Sequence, residues 1–150
     1  MNGSCLCGDV VFDLDLKSIN MYQCHCDLCR KQTGTASSCG TVVAANVFSW
    51  ISGEHLISKW EKSSGFTSHF CSQCGSSVPN KFRDHPFYWV PIGTLNDTLN
   101  DALNTQKIKT VANIFVCEQS KWSNVDASTN PFDLRPEVME LVKLMNTSHV

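Results

Sequence analysis

Apolar and polar residues alternate with a period of two along much of the first half of this chain, the spacing of a half-buried strand. Between Val10 and Leu16, side chains Phe12, Leu14 and Leu16 fall on one face, while Asp13, Asp15 and Lys17 take the other. Gly40 to Trp50 is rich in Val and Phe and closes on the turn signal Ser52-Gly53. Leu56 to Trp60 stops at Ser63-Ser64-Gly65 and resumes as Phe66 to Phe70, which predicts a hairpin. Phe87 to Ile92 and Val111 to Val116 read as two further strands. Pro91 in the first of them points to an edge or a bulge, because proline cannot donate to a ladder.

Helical periodicity is scarce. Asp27 to Thr33 predicts a short helix stopped by Gly34, and Leu95 to Leu103 a short helix or a polar loop. Pro136 followed by Glu137 to Met145 puts Val138, Leu141, Val142 and Met145 on one stripe, with proline suited to the first turn. That stripe is expected to pack on the chain's own core, with a homodimer contact as the alternative. The fold class that follows is mainly β: short antiparallel strands with a short helix after the second cysteine cluster and a C-terminal helix over about 136–146. Residues 1–150 are expected to form a single domain with its core over about 3–132.

At 150 residues the chain is long enough for a sizeable core. Its formal charge is -2 and its cations are scattered, which argues against a nucleic-acid partner. No stretch approaches the roughly twenty apolar residues that cross a bilayer, so no membrane association is expected. Met1-Asn2-Gly3-Ser4 has neither the basic start nor the apolar run of a signal peptide. A cytoplasmic protein is expected, and in a reducing compartment close-set thiols indicate metal or redox chemistry rather than cystines.

The cysteines change the picture most. Seven of nine lie in three clusters, Cys5-Leu6-Cys7, Cys24-His25-Cys26-Asp27-Leu28-Cys29 and Cys71-Ser72-Gln73-Cys74. Thiolates this close reach one tetrahedral Zn²⁺ at about 2.3 Å without straining the backbone. Spacing leaves two pairings open. Cys26 and Cys29 could join Cys71 and Cys74, stranding Cys5, Cys7 and Cys24. Alternatively Cys5, Cys7, Cys71 and Cys74 form one site while Cys24, Cys26 and Cys29 stay together. Local reach favours the second, since three thiolates within six residues wrap one ion cheaply. Four thiolates saturate a zinc and make a staple, whereas three leave a position open for water or an incoming thiol. Two zinc ions per chain are expected.

The other candidates are weaker. His25 could shuttle protons or act as a fourth ligand, although residues between ligands in a tight loop usually point away from the metal. Cys39 and Cys117 lie in apolar, strand-like stretches and read as small core residues. His55, His69, His85 and His149 form no ligand-spaced pair.

These motifs resemble those of the glutathione-dependent formaldehyde-activating enzyme and centromere protein V family. The resemblance rests on Cys5-x-Cys7-Gly8 with Val11-Phe12, Cys24-His25-Cys26-x-x-Cys29-Arg30-Lys31-x-x-Gly34, Ser52-Gly53-Glu54, Phe70-Cys71-x-x-Cys74-Gly75-Ser76, Gly93-Thr94-Leu95 and Trp122. It implies an Mss4-like zinc-containing β-sandwich with Cys5, Cys7, Cys71 and Cys74 on a structural zinc and Cys24, Cys26 and Cys29 on a catalytic one. It further implies a carbon–sulfur lyase that joins glutathione to formaldehyde, as in aldehyde detoxification, and a middle thiolate, Cys26, that leaves the metal when glutathione binds. Trp122 is placed near the ligand by the resemblance alone. Arg30 and Lys31, beside the trio, are expected to receive a carboxylate of the tripeptide. Many members carry a His-Ile-aliphatic run where this chain has Asn113-Ile114-Phe115, so any role of that histidine is absent here. The alternative function is a non-catalytic zinc-binding interaction module of centromere protein V or Mss4 type. Another thiol adduct or a larger aldehyde is the alternative substrate.

Overall fold

The computed structural model describes residues 1–96 and 108–146. In chain order the elements are Asn2–Ser4 (β1), Val11–Leu14 (β2), Ile19–Cys24 (β3), Asp27–Thr33 (α1), Ser38–Ala44 (β4) and Phe48–Ser52 (β5). They continue with Ile57–Glu61 (β6), Thr67–Cys71 (β7), Asn80–Lys81 (β8), Phe87–Pro91 (β9), Ile108–Ile114 (β10), Pro131–Phe132 (β11) and Val138–Asn146 (α2). The fold is mainly β, as the alternating pattern predicts. The Leu95–Leu103 segment lies for the most part outside the described residues.

Three sheets form, ordered β1-β2-β5, β11-β10-β3-β4-β9-β8 and β6-β7. The last is the predicted hairpin, Ile57 pairing with Cys71 and Glu61 with Thr67. The six-stranded sheet is mixed rather than antiparallel, because β10 runs parallel to both β3 and β11. A parallel neighbour needs a long crossover, and that pairing cannot be read from strand periodicity.

The alternation of β4 explains the layering. Val42 joins Tyr22, Cys24, Ala112 and Ile114 under α2, whereas Val43 faces Phe12, Leu14 and Val90 on the opposite side. The six-stranded sheet is thus covered by α2 on one face and by the three-stranded sheet on the other. Phe12, Phe48 and Tyr88 stack across that second layer, with ring centroids 5.8 and 4.0 Å apart. A third cluster, Cys5, Val10, Cys71 and Val78, ties the first strands to the hairpin.

Three expectations are adjusted. Gly40 to Trp50 is not one strand: β9 begins at Phe87, opposite Ala44, so the chain beyond has no partner in that sheet. It turns through Ala45–Val47 and crosses to pair with β2 as β5. Pro91 lies in an interior strand, but β8 reaches only Tyr88 and Trp89, so the sheet is open beside the proline. Val111 to Val116 stops as a strand at Ile114, and Phe115 takes a left-handed φ of 56°. Cys117 therefore falls outside the sheet. It is exposed rather than core, its thiol donating to the Asp133 carbonyl at 2.9 Å.

Helix α2 buries Leu141, Val142 and Met145, the stripe read from sequence. Pro136 precedes the helix rather than opening it, since the first turn closes from Leu141 N–H onto the Glu137 carbonyl. Leu141 is 1% exposed, so Leu141→Ala should cost about 2–5 kcal/mol. Thermal unfolding followed by circular dichroism should fall by roughly 10 °C. An unchanged midpoint would mean that α2 contributes little to this core. Among the described residues no helix is long and apolar enough to cross a membrane.

Candidate functional site

All nine cysteines are free thiols, and seven gather into two groups. Cys5, Cys7, Cys71 and Cys74 form the first, with sulfurs all within 4.8 Å of one another. The loop after β1 supplies two of the sulfurs, and the end of β7 with the turn after it supplies the other two. Gly8 and Gly75 follow these pairs with φ of 85° and 76°, a conformation that side-chain-bearing residues rarely adopt and that lets each loop fold back under its sulfurs. Cys5 Sγ also accepts from the Val10 N–H at 3.3 Å, and the Cys5 and Cys71 side chains are buried.

Cys24, Cys26 and Cys29 form the second group, also within 4.8 Å. Cys24 ends β3, Cys26 caps α1 and Cys29 sits in its first turns. Cys26 Sγ accepts from Cys29 N–H at 3.4 Å, and Gly34 closes the helix with a φ of 67°. Hydrogen bonds from the Cys24 and Cys29 thiols, helped by the Cys29 and Leu28 amides, pull Cys26 down to about 2. The hydrogen bond that Cys24 gives Cys26, with burial, pushes Cys24 up to about 12, while hydrogen bonds with Cys24 and Cys26 raise Cys29.

Both groups fit a thiophilic ion. Tetrahedral zinc with Zn–S near 2.3 Å sets its sulfurs about 3.8 Å apart. The separations are 3.4 Å for Cys5 to Cys7, 3.9 Å for Cys7 to Cys71 and 3.6 Å for Cys24 to Cys26. A cystine would need about 2.05 Å. Among the described residues no fourth histidine, cysteine or carboxylate joins the trio.

A cavity of about 520 Å³ opens onto that trio. Leu28, Phe66, Phe82, Phe115 and Leu134 give it apolar walls, and Lys81, Arg83 and Arg135 contribute three cations. Among the described residues no carboxylate lines it and none of these cations has an ion-pair partner. Tyr22 and Trp89 form part of the wall, the indole N–H donating to the phenol oxygen at 2.9 Å. Burial, then the charges of Cys24 and Cys29, push the Tyr22 phenol well above its ordinary range, so it keeps its proton.

Arg30 and Lys31 do not line the cavity. Arg30 donates to the His25 carbonyl at 3.1 Å and the Ser120 hydroxyl at 2.7 Å, and Lys31 pairs with Asp27 at 2.9 Å. These bonds fasten α1 to the 118–120 turn, which also receives Asp27 N–H on the Glu118 carboxylate. Trp122 is 69% exposed and does not reach the wall. His25 turns inward, fully buried, with Nε2 2.9 Å from Asn113 Oδ1. Asn113, marked in the sequence only as the place of a missing histidine, has a structural part: its amide group donates to the Asp126 and Thr129 carbonyls, tying the trio's loop to a distant one. The cations at 81, 83 and 135 were likewise illegible, since nothing in their neighbourhood marks them.

Fold and site together define a mainly β protein with two cysteine groups able to hold metal ions, the smaller one facing a cation-rimmed cavity. The family model described as glutathione-dependent formaldehyde-activating enzyme matches residues 1–118, and the chain belongs to that family. A crystal structure of a protein from Rhodobacter sphaeroides is similar at 20% identity and a TM-score of 0.52, over 73% of this chain and 100% of that one. At that identity the likeness concerns the fold alone. No curated protein matches this chain.

Proposed function

We propose that the protein is an enzyme of carbon–sulfur lyase type that joins glutathione to an aldehyde such as formaldehyde, or cleaves that adduct. The observation that carries this reading is a three-thiol group opening onto a cavity with three cations and, among the described residues, no carboxylate to pair with them. Cys5, Cys7, Cys71 and Cys74 would hold a structural zinc, and Cys24, Cys26 and Cys29 a second. When bound, the second ion stabilises an incoming thiol as the thiolate that attacks an aldehyde carbon.

The chain's own residues supply the rest. Lys81, Arg83 and Arg135 attract the two carboxylates of glutathione, Arg through paired hydrogen bonds. The apolar wall keeps water from the reacting carbon. Arg30 and Asp27 hold α1, and with it Cys26 and Cys29, in register with the cavity.

Isothermal calorimetry of glutathione into zinc-loaded protein should show saturable binding. Arg135→Gln should raise Kd about fivefold, the modest effect of one exposed charge pair. An absence of heat with fully loaded wild-type protein would overturn the reading.

A further inference from the structure

Tyr22, Gly40 and Trp89 make a contrivance that the zinc-site chemistry above does not use. Tyr22 on β3 pairs in register with Gly40 on β4, and Trp89 lies on the neighbouring β9. A Cβ at Gly40 would sit 2.4 Å from Trp89 Nε1, so only glycine lets the indole lie across the strand and reach the phenol. Glycine in a strand interior weakens the strand and marks a close approach. Here the approach delivers one N–H to one oxygen.

The consequence lies in the direction of that bond. A buried phenol needs an acceptor for its proton. Trp89 can only donate, so it occupies a lone pair of the Tyr22 oxygen and leaves the O–H without a protein acceptor among the described residues. Tyr22 is only 8% exposed and is a wall residue of the cavity. The remaining space beside it is the cavity, whose wall it forms. Tyr22 and Cys24 are two positions apart on β3, side chains on one face about 7 Å apart. Tyr22 and the trio of thiols therefore line one cavity from neighbouring positions.

We infer that Tyr22 is a catalytic hydrogen-bond donor, its hydroxyl holding the aldehyde oxygen as sulfur adds to carbon. The inference rests on the proposed thiol–aldehyde reaction. In that step the sulfur lone pair forms the C–S bond and the carbonyl π pair moves onto oxygen. The thiol's proton passes to water as the thiolate forms, water returns one to the alkoxide oxygen to complete the hydroxymethyl group, and Tyr22 keeps its own proton throughout. Trp89 and Gly40 are positioning residues that aim the hydroxyl.

The test uses zinc-loaded full-length protein, with glutathione and ¹³C-formaldehyde exchanging into the adduct by NMR. Tyr22→Phe should lower kcat about 100-fold, the usual effect of losing one donor to a developing oxyanion. KM for glutathione should stay within about twofold of wild type, a split that a packing defect would not give. Trp89→Phe, which keeps the hydroxyl but loses its aim, should cost less than tenfold by the same comparison. Wild-type kcat in Tyr22→Phe overturns the inference. A binding measurement stands beside the kinetics: wild-type protein should hold S-hydroxymethylglutathione about tenfold more tightly than S-methylglutathione, which lacks that oxygen. Equal affinities overturn the inference even if Tyr22→Phe fails to fold. No binding of either compound, and no exchange, in wild type overturns the proposed function itself, and the inference falls with it.

Discussion

Cys71→Ser will abolish cooperative unfolding, leaving a chain without a defined native state at room temperature. Cys71 is fully buried at the end of β7 and shares a small core with Cys5, Val10 and Val78. Apart from the cysteines that core is small, Val10 and Val78 with the half-buried Trp50, Leu56 and Ile57 around them, so in the proposed assignment the metal is the principal tie between the first strands and the hairpin. A structural zinc contributes an apparent ~10–16 kcal/mol, whereas a whole domain is stable by about 5–15 kcal/mol. The clip also closes a long loop, which is where removing it restores most unfolded-state entropy. The check is thermal unfolding by circular dichroism together with zinc content. A variant that melts cooperatively near the wild-type midpoint would show that the four-thiol group is not a staple.

The opposite behaviour is expected of Cys26→Ser, which should keep its fold and lose turnover more than 100-fold. Changes outside the ligand shell of metal sites already cost about 10–100-fold in affinity or activity, and here a ligand itself is altered. Folding should survive for local reasons. Helix α1 buries no residue, so little of the core depends on it. Serine is also among the best N-cap residues and can take over the bond from Cys29 N–H. Zinc stoichiometry should fall from two ions toward one while the melting midpoint moves by only a few degrees. Retained turnover with one ion would remove the trio from the chemistry. A collapsed midpoint would make it a second staple.

These contrasting outcomes follow from features of different range. The trio, its helix and the stop at Gly34 occupy a dozen consecutive residues, and the α1 bounds read from sequence are those of the structure. The hairpin was legible for the same reason, two alternating runs flanking a polar turn. Gly40 to Trp50 misled because its composition stays strand-like across Ala45–Val47, while the break is imposed by the end of the neighbouring strand. Arg30 and Lys31 were read from nearness as well. Their place beside the thiols in sequence suggested substrate binding, and in the structure their side chains bond to the 25, 27 and 120 positions and do not line the cavity.

By itself the sequence determined which atoms could bind metal, the closeness of Cys24, Cys26 and Cys29, the mainly β character, and the short helix that Cys26 caps and Cys29 sits in, while the structure settled which of the two pairings the seven sulfurs adopt. All of these depend on residue type and on spacing within a few positions, where chain geometry leaves little choice. Tertiary structure alone decided what faces the open trio. The parallel β3–β10 pairing brings Ile114 and Phe115 beside Cys24, and separate loops bring Lys81, Arg83 and Arg135 to the same cavity. Gly40 lets Trp89 reach Tyr22 across two strand pairings. Such placements are fixed by register between segments far apart in the chain, and register is settled by burying whole faces at once rather than by any local pattern.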